Sequence, residues 1–153
     1  MGLVYKDLQR GGGLISPARL AEILRSLGIK NRLLILQACF SGQFIPQLRD
    51  SSSIVVTAAA ADRSSFGCQA GNDWTFFGDA LINHAFRQPL PLDTQLRRAM
   101  ILIGAAEDRD QLEPSNPQVS VGSGIARWLN PLEEREPQST SEPVGQSPLG
   151  LGK

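Results

Sequence analysis

Cysteine and histidine are scarce: two of the one, Cys39 and Cys68, and a single copy of the other, His84. So few thiols exclude a disulfide-rich secreted scaffold, and no Cys/His set has the spacing of a zinc site, so neither a metal nor a cofactor is expected. Net charge is missing too. Fifteen Lys plus Arg balance fifteen Asp plus Glu, leaving no overall field to draw the protein toward nucleic acid or an anionic membrane. No basic patch is interleaved with aromatics. The longest apolar stretches, such as Leu33 to Cys39 and Met100 to Ala106, fall far short of the roughly 20 residues that span a bilayer. No charged-then-apolar signal opens the given residues, so the expectation is no membrane segment and a cytoplasmic location. The glycine clusters are turns. Gly11-Gly12-Gly13 lacks the Lys-Ser or Lys-Thr of a phosphate loop, and Gly122-Ser123-Gly124 lacks the frame of a dinucleotide site.

What the sequence does contain is enough apolar material, 41% of the residues, for one layered domain. Met1 to Ile15 has no clear period and suits a loop or a strand remnant followed by a turn. Ser16 offers a helix N-cap with Pro17 in the first turn, and Leu20, Ile23, Leu24 and Leu27 recur at helical spacing until Gly28 ends the pattern. The run from Leu33 to Ala38 is continuous rather than alternating, as expected of a strand covered on both faces of a parallel sheet, and Ser53 to Ala58 reads the same way. Asp73 or Thr75 can cap a helix carrying Phe76, Phe77, Ala80, Leu81, His84 and Ala85, stopped by Pro89. A second helix is predicted from Asp93 to about Gln111, then a short strand Gln118 to Val121 and a brief helix up to Leu129. From Asn130 onward Pro, Ser, Glu, Gln and Gly dominate, which predicts a disordered tail over 130–153 behind a domain over 1–129. Strands alternating with helices give an α/β fold, helices flanking a mostly parallel sheet.

In open α/β sheets, reactive groups collect just beyond the carboxyl ends of strands, and Cys39 is in that place. Its neighbours Ala38, Ser41 and Gly42 are small, which leaves room for a substrate carbonyl and for backbone N–H donors. Spacing alone also allows Cys39 to be a small core hydrophobe. A nucleophilic thiol needs its pKa lowered by a positive group or a helix end, for which Arg49 and Arg63 are the candidates in principle. His84, placed mid-helix between Leu81, Ile82 and Phe86, is expected to be structural rather than a base, and so is Cys68.

Four separate blocks carry a resemblance: Arg32 to Gly42, Thr57-Ala58-Ala59, Ser64 to Cys68, and Thr75 to Asp79. In order and spacing they resemble the legumain (asparaginyl endopeptidase) family of cysteine peptidases, particularly its bacterial members. Ser115 to Gln118 resembles a late segment of that family. The resemblance implies a caspase-like layered fold acting on peptide or protein substrates, with Cys39 as the catalytic nucleophile and Ser64, Ser65 and Asp73 as substrate-binding residues. In the family a His-Gly pair precedes the helix that leads to the Cys strand. No histidine precedes Ser16 here, so the resemblance further implies a chain whose N-terminal strands and catalytic base are missing, with doubtful turnover. An exposed sheet edge then favours self-association. Two other readings stand beside this one. Either a non-catalytic caspase-like module binds peptides or proteins through the same cleft, or an unrelated thiol enzyme or redox sensor oxidises Cys39 reversibly.

Overall fold

The computed structural model describes residues 2–7, 11–125, 129 and 142–150. An antiparallel hairpin comes first, β1 (Leu3–Asp7) with β2 (Gly11–Ile15), in the register Leu3↔Ile15 to Asp7↔Gly11. Three consecutive glycines hide this strand from any pattern search, because main-chain pairing needs no side chains while periodicity is made of them. Helix α1 (Pro17–Ser26) follows, and the Ser16 side chain caps it by accepting the Arg19 N–H at 3.2 Å.

The main sheet has three strands in the order β3 (Arg32–Leu36), β4 (Ser53–Thr57), β5 (Gln118–Val121). β3 and β4 are parallel, with Arg32 opposite Ser53 and Leu36 opposite Thr57, whereas β5 runs antiparallel to β4. The parallel pair needs a crossover, supplied by a 3-10 turn Ser41–Phe44 and the short helix α2 (Ile45–Leu48).

β4 explains why its sequence is apolar without alternation. Ile54 and Val56 face a cluster formed with Phe76, Phe77, Leu81, Leu96 and Ile103, while Val55 faces the opposite one with Ala21, Leu36, Phe44 and Leu48. Both faces are buried, as expected. β3 departs from the expectation. Leu34 and Leu36 join the second cluster, but Leu33 and Ile35 stay 41% and 37% exposed, because the helical layer covering β4 does not reach over this edge strand among the described residues.

That layer begins with the helical turn α3 (Phe76–Gly78), capped by the Thr75 hydroxyl rather than by Asp73, and runs directly into a π-helical segment Asp79–Ala85. α4 (Leu92–Arg109) then buries Leu96, Ala99, Ile103 and Ala106, a stripe at three- and four-residue spacing. The mixed α/β layering and the boundaries of β4, α4 and β5 agree with the sequence expectation to within a residue or two. Of the closing helix expected up to Leu129, residues 123–125 form a turn and 126–128 fall outside the described residues, as does the tail over 130–141. Composition predicts no order for the rest of the tail, yet Leu149 is 5% exposed and belongs to the cluster around Ile54 and Ile103.

Candidate functional site

Cys39 stands three residues beyond the carboxyl end of β3, in a turn whose next residue, Phe40, adopts the left-handed conformation (φ 59°, ψ 18°). A bulky non-glycine residue is strained there, and such strain persists only where the surroundings over-determine it. Here they do. The Phe40 N–H donates to the Arg63 carbonyl at 2.7 Å, the Gln43 N–H to the Phe40 carbonyl at 3.1 Å, and the Gly42 N–H to the Ala59 carbonyl at 2.9 Å. Ser41 is fully buried, its hydroxyl accepting the Ala59 N–H at 3.3 Å.

Gly42 has a steric reason: a Cβ would lie 2.6 Å from the Ala61 nitrogen and 2.8 Å from the Ala60 carbonyl carbon. Two of the sequence blocks, Cys39 to Gly42 and Thr57-Ala58-Ala59, are thus the two faces of one tight loop contact. From behind, the Ala60 N–H donates to the Ser115 carbonyl at 2.9 Å, and the Ser115 N–H is held at 3.1 Å by the carboxylate of Glu107, itself buried. Glu107 escaped sequence reading because it continues the buried stripe of α4, four residues after Ile103, where the apolar pattern gives no sign of a carboxylate and no strand end is near.

The side chain of Cys39 is exposed, and the loop after β4 closes around its sulfur. The Ser65 N–H donates to Sγ at 3.3 Å, the Ser65 hydroxyl lies at 3.6 Å, and the thiol faces the Ser65 carbonyl at 3.5 Å. Burial pushes the thiol pKa up. Hydrogen bonds from the Ser65 N–H and from the Ser65 and Ser64 hydroxyls outweigh it, so the net shift is below the ordinary thiol value. No cation among the described residues contributes to this shift. The Arg63 guanidinium pairs with Glu113, and Arg49, the other sequence candidate, is exposed beyond α2.

Of the predicted site residues, then, Cys39, Ser64 and Ser65 come together. Asp73 is committed elsewhere: its carboxylate accepts the Gln146 N–H at 2.7 Å. His84, the chain's single histidine, sits 14% exposed with Nε2 3.6 Å from the buried Asp79 carboxylate, which fits the structural role expected of it. Cys68 is a free thiol on the same exposed loop. No group of His, Cys, Asp and Glu able to hold a metal ion is found among the described residues, and no helix among them is long and apolar enough to cross a membrane.

A strained turn at a strand's carboxyl end, presenting an exposed thiol to hydrogen-bond donors that favour its thiolate, is what a thiol nucleophile requires. Comparison with curated proteins gives no match. A family model, however, matches residues 7–98, more than half of the 153, spanning Cys39, Ser64, Ser65 and Asp73. The chain, with its caspase-like α/β layering, therefore belongs to the Peptidase C13 family, the legumain family of cysteine-type peptidases.

Proposed function

We propose that Cys39 is a peptidase nucleophile, within a peptidase domain spanning residues 1–129, and that Ser64, Ser65 and, at the far end of the same loop, Asp73 bind the substrate. The observation that carries this is the Cys39 corner itself: a thiol whose thiolate is favoured by three donors, on a turn fixed from both sides. In the reaction the Cys39 sulfur bonds to the substrate carbonyl carbon, the C–N bond breaks, and the amine departs with a proton; water then cleaves the thioester. Proton delivery to the amine needs a general acid, and no histidine adjoins the sulfur among the described residues, since His84 lies against Asp79. Release of the amine is therefore proposed to limit peptide cleavage in this chain, while an electrophile that needs no such proton still labels Cys39. Two free thiols are compatible with a reducing compartment. The partly exposed Leu33 and Ile35 on the β3 edge support self-association, which sedimentation of the purified chain would read directly.

The test is intact-mass and peptide mapping after exposure of the full chain to a peptidyl electrophile, beside a chromogenic peptide assay. One adduct on Cys39, absent from Cys39→Ala and retained by Cys68→Ala, is the expected result. Equal labelling of Cys68, or a Cys39 no faster than a free thiol, would overturn the assignment. Rapid multiple turnover would overturn the part about the missing proton donor.

A further inference from the structure

Six residues near the end of the chain, Val144 to Leu149, lie across a groove formed by Asp73 and Trp74, the π-helical segment Asp79–Ala85 and the end of α4. The contacts fall into two classes. The first class binds main chain. Asn83 meets the Val144 peptide on both sides, its Nδ2 donating to the carbonyl at 2.8 Å and its Oδ1 accepting the N–H at 3.1 Å. Trp74 Nε1 donates to the same carbonyl at 2.7 Å, and Asp73 accepts the Gln146 N–H at 2.7 Å. Arg109 closes the far end, donating to the Leu149 carbonyl at 2.6 Å and the Pro148 carbonyl at 3.1 Å.

The second class reads side chains, and it does so at alternate positions. Gly145 has φ +81°, and a Cβ there would lie 2.9 Å from Asp73 Oδ2 and 3.0 Å from Trp74 Nε1, so only glycine passes. The Ser147 hydroxyl donates to Asp79, a fully buried carboxylate that also accepts Asn83 Nδ2 at 2.8 Å. Leu149 enters the hydrophobic cluster. Val144, just before these positions, and Gln146, between the first two, are exposed, while Pro148 is half-buried.

We infer that this groove is a peptide-recognition site, occupied in this chain by its own residues 144–149, and that it selects segments of the pattern Gly-x-Ser-x-Leu. Main-chain pairing by side-chain amides, carboxylates and guanidinium supplies affinity for a segment that bends at Gly145 and turns at residues 148–149, and the three alternate positions supply the selection, the division of labour seen where a fixed surface binds a peptide. The π-helical geometry contributes by setting Asp79 and Asn83, one hydrogen-bonded to the other, toward the same segment. None of this depends on Cys39 being a nucleophile.

Two measurements on the full chain decide it. In hydrogen exchange read by mass spectrometry, the 142–150 peptide of the wild type should exchange at least about tenfold more slowly than in Gly145→Val, with α4 equally protected in both. A fluorescent synthetic peptide of residues 142–150 should bind the Gly145→Val chain and bind the wild type at least about tenfold more weakly, because the tethered copy competes at an effective concentration on the order of millimolar. The same peptide carrying Leu149→Ala should not bind. If Gly145→Val also loses protection in α4, Ser147→Ala, which removes only the hydroxyl that donates to Asp79 and accepts the Leu149 N–H, takes its place. A wild-type segment exchanging at free-chain rates, or a variant that leaves the groove open yet fails to take the peptide, overturns the inference. Neither readout involves peptide hydrolysis or Cys39, so a failed peptidase assignment would leave it standing.

Discussion

The corner around Cys39 and the groove around Asn83 are built by opposite strategies. At the corner, short loops directly follow two neighbouring parallel strands, so residues that touch belong to compact strings: Cys39 to Gly42, Ala58 to Ala61, Ser64 and Ser65. The groove gathers Asp73, Trp74, Asp79, Asn83 and Arg109 against residues 39 to 73 positions away, and mostly by binding main-chain atoms. The corner exposes its key side chain, whereas the groove buries its own. One region therefore stakes reactivity on geometry, and the other stakes stability on packing. Mutations should separate the two.

The largest separation is expected from Leu149→Ala against Cys39→Ala. Leu149 is 5% exposed within the main cluster, so its truncation leaves a cavity and should cost about 2–4 kcal/mol in urea unfolding. Cys39 is exposed, and its replacement should change stability by no more than about 0.5 kcal/mol while removing all labelling at that position. A Leu149→Ala chain as stable as the wild type would erase the contrast and detach the segment from the core.

The same contrast decides what could be read in the sequence. Cys39 was legible as a candidate because a continuous apolar run marks a buried parallel strand and reactive groups collect at its carboxyl end, whereas Ser64 and Ser65 were singled out by the family resemblance alone. α1 and α4 were legible from their period. The hairpin at Leu3–Asp7 and Gly11–Ile15 was not, since Gly11-Gly12-Gly13 contributes no side-chain pattern. Nor was the partner of Asp73. Its carboxylate satisfies a backbone N–H, and every non-proline residue offers one, so no composition signals where it will come from. Low apolar content in the tail predicts disorder as an average property and misses Leu149 and Ser147, two side chains whose value depends on a hydrophobic cluster and a buried carboxylate far away in the chain. The exposed halves of β3 were missed for a related reason: an apolar run records what a strand is suited to, and only the neighbouring layer determines which face is covered.

A finer probe of the corner is the pH dependence of Cys39 alkylation. Hydrogen bonds from Ser65 and Ser64 hold the thiol below its ordinary value against the opposing effect of burial. The thiolate, which is the reacting form, therefore persists to lower pH in the folded chain than in the same chain unfolded in urea. Iodoacetamide rates should reach half-maximum at the lower pH in the folded protein. Ser65→Ala removes the hydroxyl but keeps the N–H, so its midpoint should move upward without reaching that of the unfolded chain. Groove variants such as Ser147→Ala should leave the midpoint unchanged, and a shift there would mean that the two regions are coupled through the loop between Ser65 and Asp73.

The smallest effect belongs to a control at the opposite end of the same strand. Asp50 pairs with Arg32 and accepts the Ser52 N–H at 2.8 Å. Burial raises its pKa, but the Ser53 and Ser52 hydrogen bonds and the Arg32 charge outweigh that and leave it below the usual carboxylate range. A carboxyl depressed on folding binds fewer protons in the native state than in the unfolded one, so its contribution is complete above the ordinary carboxylate pKa and is lost as pH falls through the lower, folded value. With the Asp50 side chain 44% exposed, solvent screening reduces the pair to the scale of surface ion pairs, about 0.5 kcal/mol. Asp50→Asn should therefore lower stability slightly at neutral pH, and the wild type should lose that advantage in acid. Neither Cys39 alkylation nor exchange of the 142–150 segment should respond, because Arg32 and Asp50 sit where β3 begins and both regions are organised from where the strands end. A response in either would place the origin of their order in the sheet as a whole.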